Sequence, residues 1–322
     1  MKRGVIMPII GQTDKKTELI KLLEKAYTEA ENNNLSMFFI KKPSAEKTQA
    51  YQPQISTDVQ YDLSMMILPN TIAYLKNAAL SEYNPVGVPD GEMEHISETS
   101  VPQVASFLEA ITDEHVFKDM SLLPIGHIKY YCVKYTCDGK ELYLFRQFSK
   151  MKKLRSGYIA RFFNSQLVAM EGDFLGIDEN IDMILCDGYL FVLNHISLER
   201  IFNYRDEYLK KTHEALGQIL DTGVIKNMEQ FSEDCTSDVR IMKRFTNIMT
   251  QGRLPMFFEN FDRVPGILAE LGLDIEFDEK ENKLVYREKS QLFHIINLMS
   301  DAYFKSLLLN RTGLAILEES IT

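Results

Sequence analysis

The chain lacks the signatures by which many enzymes are recognised. It has no Gly-rich phosphate loop, no G-K-[ST] and no G-x-S-x-G, which removes the commonest nucleotide-hydrolysing and esterase readings. Its six histidines (His95, His115, His127, His195, His213 and His294) are dispersed, without H-x-H or H-E-x-x-H spacing, so zinc has no ready ligand set. The four cysteines (Cys132, Cys137, Cys186 and Cys235) form no C-x-x-C pair and read as reduced thiols. No apolar run approaches the ~20 residues that span a bilayer. The brief apolar run at the N-terminus is interrupted by Pro8 and Gln12 before a signal-peptide core forms. These absences lead us to expect a mature cytoplasmic protein without a cofactor. No repeat of roughly 20–50 residues is visible either.

What is present is core-forming sequence and uneven charge. With 322 residues, 45% of them apolar and 25% charged, the chain can bury a substantial core. Its net charge is −10. Between residues 127 and 170, however, nine Lys/Arg stand against two Asp/Glu, a local +7 that leaves −17 on the remainder. A uniformly basic nucleic-acid coat is excluded, so a polyanion would have to be met by a local patch.

That basic stretch sits among the clearest strand signals. Segments 127–137 and 141–148 are rich in Tyr, Phe, Val and Ile and flank Asp138-Gly139. This pair suits the positive φ angles of a tight hairpin turn. Segments 181–186 and 189–194 repeat the logic around Asp187-Gly188. Upstream, Thr13 or Asp14 can cap a helix running through Glu31, and 35–42 reads as a buried strand. A polar loop over 42–60 is expected, then a strand at 61–68, a helix at 72–83, an irregular Pro/Gly-punctuated stretch over 85–102, and a helix around 104–111. Beyond Tyr204 the spacing turns helical. Tyr208, Thr212, Ala215 and Ile219 share a helix face that Gly223 terminates, and a further amphipathic helix covers 237–249. Pro255 and Pro265 fall near first turns of short helices, where a missing amide is tolerated. A hairpin pairing Ile275/Phe277 with Leu284/Tyr286 then precedes a helix at 291–299. Helix, hairpin and helix in that order is also the order of a winged helix, an analogy at the level of fold alone. The expectation is an α+β protein in three regions: a 1–124 N-terminal α/β region, a β-rich 125–204 central region of antiparallel hairpins, and a mostly helical 205–322 C-terminal region.

The candidate site residues are Arg146, Lys150, Lys152, Lys153, Arg155 and Arg161, six basic side chains within sixteen residues. Closely spaced Lys and Arg can neutralise successive DNA phosphates and release condensed counterions, and interleaved aromatics such as Tyr158 can stack on an unpaired base. The same cluster would also suit anionic lipid headgroups, an acidic protein surface, or a solvated loop balancing acidic neighbours. Glu171, Asp173, Asp178 and Asp182 offer carboxylates for a divalent metal, as in a phosphodiester-cleaving site. No E-x-K follows them, and Asp and Gly at strand ends favour turns, so a non-catalytic role is preferred to a metal-dependent nuclease.

Segments 142–154 and 162–202, above all the ID-x6-YLFVLN stretch from Ile181 to Asn194 and the SLERIFNY that follows, together with 273–306, resemble the KwaB family of the Kiwa anti-phage defence system. The resemblance covers about half the chain. It implies a cytoplasmic component that binds phage DNA and acts with KwaA, a small multi-spanning membrane protein, which would recruit it to the inner face of the membrane. It implies no enzymatic reaction and assigns no individual residues. Symmetric self-association into a homo-oligomer is expected as well, since duplicated patches multiply weak phosphate contacts.

Overall fold

The computed structural model describes residues 10–32, 35–41, 48–88, 91–123, 125–148, 153–154, 159–163, 166–170, 174–306 and 311–315. The chain divides into two compact units, one comprising Met1–Tyr83 and Pro89–Asn203, the other Asn84–Val88 and Tyr204–Thr322.

In the first unit the elements run α1 (Ile10–Thr28), β1 (Leu35–Lys41), β2 (Gln49–Tyr51), α2 (Thr57–Asn77), β3 (Ala79–Glu82), β4 (Glu92–Ser97), α3 (Pro102–Ala110), β5 (Ile128–Cys137) and β6 (Lys140–Gln147). They continue with β7 (Lys153–Leu154), β8 (Ile159–Phe163), β9 (Gln166–Met170), β10 (Phe174–Leu175), β11 (Met183–Cys186), β12 (Tyr189–Val192) and α4 (His195–Phe202). Eight of these strands form one mixed sheet in the order β2-β1-β5-β6-β11-β12-β4-β3. Both Asp-Gly turns behave as expected. Asp138 and Gly139 take φ 51° and 73°, Asp187 and Gly188 take 48° and 77°, the doubly left-handed turn that matches strand twist. The first two expected regions share this sheet, because β1 lies antiparallel to β5 with Met37 opposite Val133.

The central strands are covered on both faces. Met37, Phe39, Tyr131, Val133, Leu144 and Ile184 pack with Leu19 and Leu23 of α1 and Ile67 and Leu68 of α2. The other face gathers aromatic rings edge to face. Phe107 of α3 lies 4.9 Å from Phe145, which lies 5.3 Å from Phe202 of α4, a geometry favourable to ring quadrupoles.

Several local expectations change. Residues 61–68 are helical, not a strand, and belong to α2, which runs through Pro69. Its buried side chains Leu63, Ser64, Ile67, Leu68, Thr71, Ile72 and Leu75 recur at three-to-four-residue spacing, the stripe a helix packs on a sheet. The helix expected over 72–83 stops at Asn77, and the chain turns into β3, parallel to β4. β4 itself lies inside the stretch expected to be irregular, and β2 lies in the expected loop.

The second unit comprises α5 (Arg205–Thr222), β13 (Ile225–Lys226), α6 (Met228–Ser237), α7 (Val239–Thr250), α8 (Arg253–Glu259), α9 (Val264–Leu271), β14 (Glu276–Asp278), β15 (Lys283–Val285), α10 (Leu292–Met299), β16 (Tyr303–Lys305) and β17 (Thr312–Leu314). Gly223, at φ 65°, ends α5 and donates to Ile219 O and Leu220 O, where a side chain would be strained. The expected hairpin forms with Phe277 opposite Leu284, and β13 adds a parallel strand, Ile225 against Leu284. Phe231, Phe245, Leu284, Tyr286, Ile295 and Ile296 sit in its core.

Candidate functional site

Strands β6 and β11 are neighbours in the large sheet, with Phe145 opposite Met183. The chain between them therefore leaves the sheet and returns to the same place. Its pairing is nested: Lys153 opposite Leu175 and Leu154 opposite Phe174 at the base, then Ile159 opposite Met170 through Phe163 opposite Gln166 toward the tip. The described part of this insertion, which lies in the sequence between two neighbouring central strands, is thus two nested antiparallel strand pairs, the β-arm.

The base of the arm is clamped by Arg146. Its Nε and Nη2 donate to Asp178 Oδ1 and Oδ2 at 2.9 and 2.7 Å, and Nη1 donates to Asp182 Oδ1 at 2.8 Å. A fork of this kind matches carboxylate geometry better than an ammonium does. Asp182 is tied further: Oδ2 accepts from Gln147 N at 2.8 Å, Oδ1 from Asn194 Nδ2 at 3.1 Å, and its carbonyl from the amides of Leu193 and Asn194. The Tyr131 hydroxyl donates to Asp178 O. Side-chain exposure grades across the cluster, 26% for Asp178, 20% for Arg146 and 2% for Asp182. Burial disfavours the charge on Arg146, and the hydrogen bonds and negative charges of Asp178 and Asp182 outweigh it, so its pKa rises above the ordinary guanidinium value. Beside the clamp lies a cavity of about 370 Å³, lined by Arg146, Asp182 and Asn194 among polar residues and by Ile181 and Leu193 among apolar ones.

The predicted site residues thus separate into two groups. Arg146 faces two carboxylates 32 and 36 residues ahead. Lys153 lies on β7 and Arg161 on β8, both in the arm, whereas Lys150, Lys152 and Arg155 fall outside the described residues. Two other contributors to the basic count are also paired, Lys134 with Glu141 and Lys140 with Glu18 and Asp187.

The carboxylates considered for a metal are arranged differently from a metal site. Asp178 and Asp182 converge, but on the guanidinium of Arg146, which occupies the place a cation would take. Glu171 and Asp173 lie outside the described residues. Among the described residues no group of three or more His, Cys, Asp or Glu is placed to hold a metal ion.

Sequence reading missed a second buried ionisable contact. His195 Nδ1 lies 2.7 Å from Glu94 Oε2, with the Glu94 side chain 1% exposed and the Tyr83 ring stacked on the imidazole at 5.4 Å. Its partners are far apart in sequence, and no local spacing announces it.

Fold and site together define a class: an α+β protein with a mixed sheet and, in the chain between two neighbouring central strands, a β-arm that carries Lys153 and Arg161 and has the Arg146 clamp beside it. The chain belongs to the Kiwa protein KwaB-like family, whose model matches residues 125–308. It is accordingly a component of the Kiwa anti-phage defence system. The matched span includes both Asp-Gly hairpins, the arm, the clamp and most of the second unit. No curated protein and no solved structure matches the chain. No helix among the described residues is long and apolar enough to cross a membrane.

Proposed function

We propose that this Kiwa component binds phage DNA through the β-arm and performs no reaction on it, acting as a homo-oligomer in the cytoplasm with the membrane protein KwaA. The observation that carries the reading is the distribution of charge. Residues 149–165 contain Lys150, Lys152, Lys153, Arg155 and Arg161 and no acidic residue, in a chain of net charge −10. Outside the arm, Lys134, Lys140 and Arg146 already face carboxylates. In sequence, most of the remaining positive charge of 127–170 therefore falls between β6 and β9, with Lys153 on β7 and Arg161 on β8. On this reading Arg146 is a positioning residue. It holds the two ends of the arm together and leaves phosphate contact to the five basic residues beyond it.

If four to five of those side chains neutralise phosphates, log K for duplex DNA falls against log salt with a slope of about −4. Fluorescence anisotropy on duplexes of unrelated sequence, across a salt series, measures it. A slope near zero, or binding confined to anionic liposomes, contradicts the proposal. The nuclease alternative has lost its convergent carboxylate pair to Arg146, and no observation favours the adaptor reading over DNA.

A further inference from the structure

Within the second unit, Arg244, Asn247 and Gln251 line one small cavity. They stand at i, i+3 and i+7 along α7 and its C-terminal cap, the spacing of a single helix face. Gly252, at φ 64°, then turns the chain, and Arg253 joins the same wall from the first residue of α8. The cavity encloses about 60 Å³. A water needs roughly 10–15 Å³ of such space, so there is room for about four to six, the bulk of one tetrahedral oxyanion.

The charge facing this cavity is of one sign. Two of its lining residues are arginines, and none of the described ones is acidic. Arg244 is half-buried and held in place without being neutralised: Nη1 donates to Asn297 Oδ1 at 2.6 Å, and the guanidinium lies 5.4 Å from the centre of the Phe293 ring. Among the described residues no carboxylate pairs with it. Burial alone acts on its pKa, downward, whereas Asp178 and Asp182 raise that of Arg146 in the clamp. Arg253 is anchored by a hydrogen bond from Nη1 to Ser300 O and adds a second positive charge to the wall. A desolvated cation is costly until an anion completes it. Arginine forks beside side-chain amides suit a phosphate group, which offers more acceptor oxygens than a carboxylate.

We propose that this cavity binds one phosphate group, free or as the end of a small phosphate monoester, with Arg244 as its main charge partner and Asn247, Gln251 and Arg253 as further contacts. The phosphate supplies the counterion that the described residues do not, and its occupancy stabilises the second unit. No residue of the β-arm takes part.

Isothermal titration calorimetry on the full chain at constant ionic strength, with inorganic phosphate, adenosine 5′-monophosphate and acetate as probes, tests the site. Phosphate should bind saturably, and acetate at least about tenfold more weakly. Arg244→Gln should weaken phosphate binding at least about tenfold, the usual consequence of losing a charged donor. Changing Lys150, Lys152, Lys153 and Arg155 to Ala should leave it unchanged, which separates this outcome from that of DNA binding. If Arg244→Gln does not fold, Asn247→Asp is the second variant: its carboxylate, three residues from Arg244, should pair with the guanidinium and lower phosphate affinity at least about tenfold. Tighter binding of adenosine 5′-monophosphate than of phosphate assigns the site to a monoester, and equal or weaker binding assigns it to free phosphate. Heat no greater than that of matched chloride overturns the proposal, as does acetate binding as tight as phosphate. Parent-like phosphate affinity in a folded Arg244→Gln or Asn247→Asp variant also overturns it, and so does loss of phosphate binding in the four-lysine-and-arginine variant, which would place the anion elsewhere.

Discussion

Replacing Arg146 by Ala removes the counterion of the most enclosed charge in the clamp. Asp182, with a 2% exposed side chain, would keep Gln147 N and Asn194 Nδ2 as donors to its side chain among the described residues. Breaking a buried ion pair from one side costs about 3–5 kcal/mol. Solvent reaches Asp178, which is 26% exposed, so the lower end, about 3 kcal/mol, is expected. For a unit of this size that corresponds to a fall in Tm of roughly 6–12 °C. Arg146→Lys should lose less, about 1–2 kcal/mol, because charge remains while the fork does not. Adding Asp182→Asn to Arg146→Ala should recover part of the loss, since a neutral amide needs no counterion. Urea unfolding followed by circular dichroism measures these differences, fitted with two transitions because the chain has two compact units. A loss below about 1 kcal/mol for Arg146→Ala, or a double variant less stable than the single one, would refute the clamp.

Further outcomes follow from the same geometry. Hydrogen bonds from Lys134 and Tyr143 hold the Glu141 carboxyl below its ordinary 4.5, with burial opposing them. A depressed carboxyl stabilises the fold above its unfolded pKa, and that contribution disappears as pH falls through the folded value. The stability gap between the parent and Lys134→Met should therefore be constant above about pH 5 and close steadily below 4.5; a gap independent of pH down to 3 contradicts the assignment. Purified protein should leave supercoiled and linear DNA intact with magnesium, manganese or chelator. Reproducible nicking that vanishes in Asp178→Ala or Asp182→Ala variants that remain folded would restore the nuclease reading.

The hairpins were readable because Asp138-Gly139 and Asp187-Gly188 encode their turns locally, and the α5 face and its stop at Gly223 were readable for the same reason. What escaped depended on distant partners. Strands β2 and β3 lie at the sheet edges and β13 has only two residues, too short to reveal a period. Residues 63–68 run Leu-Ser-Met-Met-Ile-Leu, and such an apolar block hides helical spacing until one sees which side chains the sheet covers. Arg146 looked like one more member of a basic cluster because its two carboxylates lie beyond the arm. Charge counting groups Arg146 with the basic residues that follow it, and only tertiary structure shows its pairing with Asp178 and Asp182.

The most direct test of DNA contact by the arm is the salt dependence of binding in a variant with Lys150, Lys152, Lys153 and Arg155 all changed to Ala. Each phosphate contact removed should flatten the slope by about one, toward zero for the quadruple variant, with affinity reduced across sequences. If these side chains serve phosphate contact and not the fold, circular dichroism and Tm should stay near those of the parent. A folded quadruple variant that keeps the parent's affinity and slope contradicts the account.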